Sequence, residues 1–391
     1  MEKKQQSTSL ALMTLSFLTL ASSAVSPALA SVGQAYPDVP KTMISLLTTL
    51  PSLLAVPMTL LCGQVAGRTV SYRKLALAGL VCNMVSGIAP AFTSNFYLLL
   101  FWRALFGCGT GILTPLIMPA MMATFQGEEV HKQASRNAAA TNIGAVLFQM
   151  FGGIACARWG WQTTFLIYVI IAPAILLVAK IFPEPPPPTD GVTRASSGQM
   201  RPIYKWCAVY FVHMVLFYVA VTETSDVVRQ SGYGTAGTAA VILSVITLAG
   251  VGGGLLYKQI NRWGIPLLVL AYSNLAAGYL VMALCPNVLV MGLGAALVGI
   301  GFGINMPALQ VYVGQAVPGQ IRAAASSVLA VFGSMGGFLS KFILAFLGAR
   351  LGFDGGRGSF LVCVVGYLLL SGIFVICAVW GKKAKLRTEK V

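Results

Sequence analysis

The chain alternates between long apolar stretches and short breaks rich in charge, proline and glycine. Twelve stretches stand out, at 10–31, 42–66, 74–92, 97–124, 134–158, 163–182, 204–225, 236–257, 266–285, 288–313, 323–347 and 360–380. Each is about the 20 residues that a helix needs to cross a hydrocarbon core of roughly 30 Å. The apolar runs are continuous rather than alternating, which speaks against a membrane β-barrel. The pattern therefore predicts an all-α polytopic membrane protein with twelve transmembrane helices.

A second pattern lies over the first. Gly107-x-Gly109-x-Gly111 followed by Pro115 recurs as Gly299-x-Gly301-x-Gly303 followed by Pro307, an offset of 192 residues. Gly63 and Gly254, each before a basic loop, repeat at 191. An offset near half the chain predicts two pseudo-symmetric six-helix bundles, 1–182 and 204–391. Residues 183–203 contain Pro183-Glu-Pro-Pro-Pro-Pro188 and read as a cytoplasmic linker. Lys3, Lys4, the apolar run after Leu10 and Ala28-Leu29-Ala30 imitate a cleavable signal peptide. Subtracting the repeat offset from 204–225 lands on this segment, so it is expected to remain as the first helix.

Composition agrees with a membrane class: 57% of residues are hydrophobic and 9% charged, and the mean hydropathy is +0.80. A soluble fold carries about a quarter charged residues. The net charge of +16 would suggest nucleic acid in a soluble protein, but here it separates by side. Arg68, Arg73, Lys74, Lys132, Arg136, Lys205, Lys258, Arg262, Arg322 and the tail Lys382 to Lys390 fall on one face. Only Lys41, Arg158, Arg229, Arg350 and Arg357 fall on the other. The positive-inside rule then places both termini in the cytoplasm, with the basic face against anionic lipid head groups and no nucleic-acid partner.

Several chemistries find no residues. The eight cysteines are scattered singly and read as small packing residues. No GxxxxGK[ST], HExxH or Cys/His zinc spacing occurs, so no nucleotide site, metal, cofactor or enzyme activity is expected. Short external loops leave no room for an extracellular receptor domain.

Three motifs carry a resemblance. The loop after the second helix, Gly63-Gln-Val-Ala-Gly67-Arg68-Thr-Val-Ser-Tyr-Arg73-Lys74, is similar to the G-x-L-x-D-R-x-G-R-K loop of the major facilitator superfamily, with Gly67 in place of the acid. The fourth helix, Leu100-Phe-Trp-Arg103-Ala-Leu-Phe-Gly107-Cys-Gly109, is similar to that family's L-x-x-R-x-x-x-G-x-G motif. The fifth reads Phe148-Gln149-Met-Phe-Gly152-Gly153 where antiporters of the family show Gly-Pro-x-x-Gly-Gly. Together with Tyr36-Pro-Asp38-Val-Pro40 and Trp159-Gly-Trp161, the chain resembles drug-efflux-type, drug:proton antiporter members from Gram-positive bacteria. The resemblance implies a major facilitator fold in the cytoplasmic membrane, likeness to monomeric transporters, a small-molecule substrate, protons as coupling ion and export by alternating access. Alternatives are uptake or exchange of an organic anion through Arg103 and Lys341, and, in another class, a non-transporting receptor or a membrane-embedded enzyme.

Ionisable residues inside membrane helices are costly and mark candidate sites. Arg103 shares a face with Gly107, Thr110, Gly111 and Thr114, a stripe suited to a water-filled cavity, or else fixes packing. Lys341 either faces that cavity or snorkels. His213, on a face with Tyr210 and Phe217, titrates near neutral pH or is simply hydrogen-bonded between helices. Glu223 either neutralises Lys341 or is hydrated at the interface. With Asp226, Asp38 and His213 it completes the proton-coupling candidates, because the N-terminal half lacks a central acid. Asn142, Gln149, Asn305, Gln310 and Asn83 are candidate ligand contacts, Asn142 and Gln149 sharing one face. Gly63 is expected to allow close helix approach, and Arg68, Arg73 and Lys74 to form a cytoplasmic gating loop.

Overall fold

The computed structural model describes residues 2–126, 128–184, 197–318, 321–353 and 355–388. Most of the linker and the end of the basic tail, Lys390 included, lie outside the described residues. Twelve helical segments are long and apolar enough to cross a membrane. They are α1 (Gln5–Ala35), α2 (Lys41–Val65), α3 (Tyr72–Phe92), α4 (Phe96–Thr124), α5 (Glu128–Trp159) and α6 (Thr163–Ile181). The second set is α7 (Arg201–Gln230), α8 (Ala236–Trp263), α9 (Ile265–Leu284), α10 (Val288–Gln315), α11 (Ala324–Arg350) and α12 (Gly355–Ala378). Among the described residues the only β pairing is a lone bridge between Ala66 and Val70.

The chain forms two compact units. One takes in α1–α6 with Gly234–Val241 at the start of α8, and the other takes in α7 and the chain from Ile242 onward. Inside each unit the same helices pair. In the first, α1 packs on α5, α3 on α4 and α3 on α6; in the second, α7 packs on α11, α9 on α10 and α9 on α12. Local signals repeat with the same offset of 192. Asn95 starts α4 by accepting from the Tyr97 and Leu98 amides, and Asn287 starts α10 by accepting from the Val290 amide. Glycines with positive φ, Gly160 and Gly352, end α5 and α11.

The repeated glycines are where helices approach most closely. A Cβ on Gly107 would strike the Pro51 carbonyl, and one on Gly111 the Ala55 carbonyl; Gly299 and Gly303 meet Ile246 and Gly250 of α8 in the same way. Apolar association is weak between helices in lipid, so small residues that admit backbone contact carry the packing. Gly63 departs from expectation, because a Cβ there meets nothing within 4 Å. Large apolar side chains such as Leu176, Leu289 and Leu369 are mostly exposed, the distribution a lipid solvent requires and water forbids.

The first helix is also not continuous. Between Ala21 and Ala28 it tightens into a 3-10 segment that contains Pro27. Proline cannot donate to the preceding turn, so carbonyls in this segment need other partners.

Candidate functional site

In the first unit those partners converge on Arg103. The α1 break offers the carbonyls of Ala21 and Ser22, and Pro51 in α2 leaves the Leu47 carbonyl without its normal i+4 donor. Arg103 Nε donates to Leu47 O at 2.7 Å. Its Nη2 donates to Ser22 Oγ at 2.6 Å and Ser22 O at 3.4 Å. Nη1 reaches the Tyr168 hydroxyl at 3.5 Å, which itself donates to Ala21 O at 3.0 Å. The guanidinium also lies 5.0 Å from the Phe106 ring centre. Arg103 is 0% exposed, and every nitrogen of its side chain is engaged by protein. It stitches α4 to α1, α2 and α6 rather than lining a water-filled stripe. The same remedy recurs lower in α4, where Thr59 Oγ1 donates to the Gly111 carbonyl released by Pro115.

The second unit repeats this architecture with different chemistry. Tyr367 of α12 donates to the His213 carbonyl at 3.2 Å, as Tyr168 of α6 does to Ala21, and the two acceptors are 192 residues apart. Three further carbonyls of α7 accept from neighbouring helices: Val215 from Ser340 at 2.6 Å, and Leu216 and Phe217 from Tyr279 at 3.0 Å. In place of an arginine the centre holds His213, ringed by Tyr210, Phe217, Tyr272, Phe302 and Tyr367 at centroid distances of 5.8–6.2 Å. Asn305 is 0% exposed and approaches Tyr272. The structure thus brings His213, Tyr210, Phe217 and Asn305 into one neighbourhood. Tyr272, Phe302 and Tyr367 join them, none of which sequence reasoning singled out.

Elsewhere in this unit, Glu223 of α7 forms an ion pair with Lys341 of α11; their side chains are 4% and 13% exposed. Gly356 of α12 lies across from the carboxylate, where a Cβ would come within 3.2 Å of Oε2. Asp38 sits exposed in the turn after α1, and Asp226 is half-buried with a partner of its own.

The remaining candidates divide between local bonding and loop structure. Asn142 donates to Ala138 O of its own helix at 2.8 Å, Gln149 is buried with a partner, and Asn83 donates to Thr110 at 3.3 Å. In the loop after α2, Gly67 has φ +72°, a conformation that glycine adopts without the steric cost a side chain carries there. The loop finds its carboxylate in Glu184, which accepts from the Tyr72 and Arg73 amides at 2.7 and 3.3 Å and so caps α3. Arg73 donates twice to Phe182 O, at 3.2 and 2.8 Å. It anchors the chain leaving α6, a role the gating-loop reading does not include. Ser71 caps α3 through the Lys74 amide, and the Arg68 amide closes the turn onto Val65 O. Proline four residues after Leu47 was the sequence signal for Arg103's partner; Glu184 had no comparable signal.

Two six-helix units with matched internal packing, crossing helices and buried polar centres define a multi-pass membrane transport protein. The chain belongs to the Major Facilitator Superfamily, whose family model matches residues 11–341. Members of this family are transporters of small molecules, not enzymes. No protein of curated function matches the sequence. Among solved structures, the nucleoside transporter NupG is 14% identical with a TM-score of 0.76, over 94% of this chain and 98% of that one. A bacterial homologue of the human lysosomal transporter Spinster, inward-facing, is 14% identical with a TM-score of 0.74, over 96% and 97% of the two chains. The human organic anion transporter MFSD10 is 17% identical with a TM-score of 0.66, over 95% and 99%. At these identities the likeness is one of fold.

Proposed function

We propose that the chain is a proton-coupled exporter of a small amphipathic organic molecule. It works by alternating access as a monomer in the cytoplasmic membrane, with both termini in the cytoplasm. The observation that carries the coupling is the buried Glu223–Lys341 pair. Glu223 is a nearly inaccessible carboxylate inside a membrane helix, and such a group is retained at a cost that only function or an ion partner offsets. Proton uptake by Glu223 frees Lys341, so occupancy of the proton changes which contacts join α7 and α11. The Gly152-Gly153 half of the antiporter motif in α5 supports the direction of transport.

Uptake or exchange of an organic anion through Arg103 and Lys341 has less support. Arg103 is saturated by carbonyls and hydroxyls, and Lys341 is already neutralised. In everted vesicles energised by a proton gradient, the wild-type chain is expected to accumulate ethidium and release protons. Glu223→Gln should abolish the gradient dependence. Gradient-driven movement of an anion such as benzoate, with none of ethidium, would replace this reading by the second.

A further inference from the structure

We propose that the His213 centre in the second unit binds the hydrogen-bond-donating end of an uncharged or cationic ligand and excludes anions. This rests on the reading that the chain moves a small organic molecule, and adds the class of head group it accepts.

The Tyr367 contacts point to one tautomer of His213, with the proton on Nδ1. The Tyr367 hydroxyl has one hydrogen and touches two groups of His213, the carbonyl O and Nδ1, both at 3.2 Å. A carbonyl can only accept, whereas Nδ1 can donate, so both contacts are satisfied together when the hydroxyl hydrogen goes to the carbonyl. The Nδ1 contact is then made by Nδ1–H donating to the hydroxyl oxygen. A neutral imidazole protonated at Nδ1 carries a bare lone pair on Nε2. That atom is fully buried and accepts from no protein group.

Other polar groups lie nearby. The Tyr272 hydroxyl and the Asn305 amide lie against each other, yet neither makes a hydrogen bond of full geometry, and both side chains, like His213, are 0% exposed. The Tyr272 ring stands 6.0 Å from the imidazole, and Phe302, one turn before Asn305 on α10, stands 5.8 Å from it. A core that served packing alone would bond or replace such groups. Here the Nε2 of α7 is left for a guest, beside a hydroxyl on α9 and an amide on α10 that touch each other and retain bonding capacity.

The centre's electrostatics choose among guests. Every side chain in ring contact with His213 is an uncharged aromatic. The Glu223–Lys341 pair is ten residues further along α7, about 15 Å away at the helical rise. Nε2 asks for an N–H or O–H donor, the aromatic faces tolerate or attract positive charge, and among the described residues no cation is in ring contact with the imidazole to receive an anion. Amine, amidine, hydroxyl and amide ends fit; carboxylates, sulfonates and phosphates do not.

The test uses purified full-length chain without any gradient, and three probes. Ethidium is a cation with N–H donors, tetraphenylphosphonium is a cation without them, and benzoate is an anion. The sequence has two histidines, so His131→Asn leaves one imidazole to follow by 15N NMR. Before ligand is added, the Nε2 signal should be that of an unprotonated nitrogen, and ethidium should shift it. His213→Phe, which keeps a ring but removes the lone pair, should weaken ethidium tenfold or more and leave tetraphenylphosphonium within twofold; Asn305→Leu should act the same way. An Nε2 that is protonated in the free protein, an Nε2 signal unmoved by saturating ethidium, equal loss of both cations, or benzoate binding that depends on His213 would each overturn the proposal. Because the His131→Asn spectrum reports with the site itself unaltered, a misfolded His213→Phe or Asn305→Leu does not decide the matter. Ethidium bound at His213 but not moved by a proton gradient would overturn the transport reading and leave this site intact.

Discussion

Arg103 donates through Nε to the backbone carbonyl of Leu47, and Leu47 has that carbonyl to offer because Pro51 lies four residues further along α2. A proline in one helix and an arginine in another thus form one structural unit. Proline creates the unsatisfied acceptor and arginine fills it.

This relationship predicts a compensating pair. Arg103→Leu strands the Leu47 and Ser22 groups, and a buried unsatisfied group costs about 1–3 kcal/mol; its thermal midpoint in detergent should fall clearly below wild type. Pro51→Ala restores an N–H for Leu47. Adding Pro51→Ala to Arg103→Leu should recover about 1 kcal/mol relative to Arg103→Leu alone. Equal stability of the single and double variants would show that the carbonyl is not the reason for the arginine.

The ion pair makes a different prediction. Breaking a buried pair from one side leaves a lone charge and typically costs about 3–5 kcal/mol, whereas replacing both members is often neutral. Glu223→Gln and Lys341→Met should each lower stability strongly, and the double variant should regain most of it. Proton-coupled flux should be lost in all three, separating the pair's structural role from its coupling role. Proton release that survives in the stable double variant would remove Glu223 from the mechanism.

Glycine substitutions should divide by what faces them. Alanine at Gly107 or Gly299 meets a backbone carbonyl, and overpacking costs about 1–3 kcal/mol. Alanine at Gly63 or Gly314 meets open space and should leave the midpoint unchanged. Comparable yields of folded, monodisperse protein from all four variants would contradict the close-approach geometry.

At the loop after α2, restoring the family's usual acid should harm rather than help. Gly67→Asp forces a side chain into φ +72°, at about 1 kcal/mol or more, beside a loop that Glu184 already serves. Gly67→Asn should be tolerated better, since asparagine visits this region more readily. Glu184→Ala should cost about 0.5–2 kcal/mol through loss of the α3 cap. Differential scanning of the three variants checks the order.

Much of the architecture was legible in the amino-acid sequence. Hydropathy is summed along a segment, so the twelve crossing helices could be counted from the chain alone, and an offset of 192 between glycine motifs revealed the two related halves. Arg103, His213, Glu223 and Lys341 stood out because an ionisable group in a membrane helix is rare and costly. What each touches was not legible. Leu47 and Arg103 are 56 residues apart, and His213 and Tyr367 are 154; nothing local links them.

The sequence by itself determined the class of protein, the number and order of its helices, their internal repeat and the short roster of groups able to carry charge in lipid. Tertiary structure decided what those groups touch. It spent Arg103 on carbonyls released by a proline and a 3-10 turn, closed Glu223 onto Lys341, and left His213 among aromatic rings with one ring nitrogen unpaired. The division is physical: crossing a membrane depends on the composition of one segment, while the partner of a buried polar atom depends on which distant helix packing brings within about 3 Å of it.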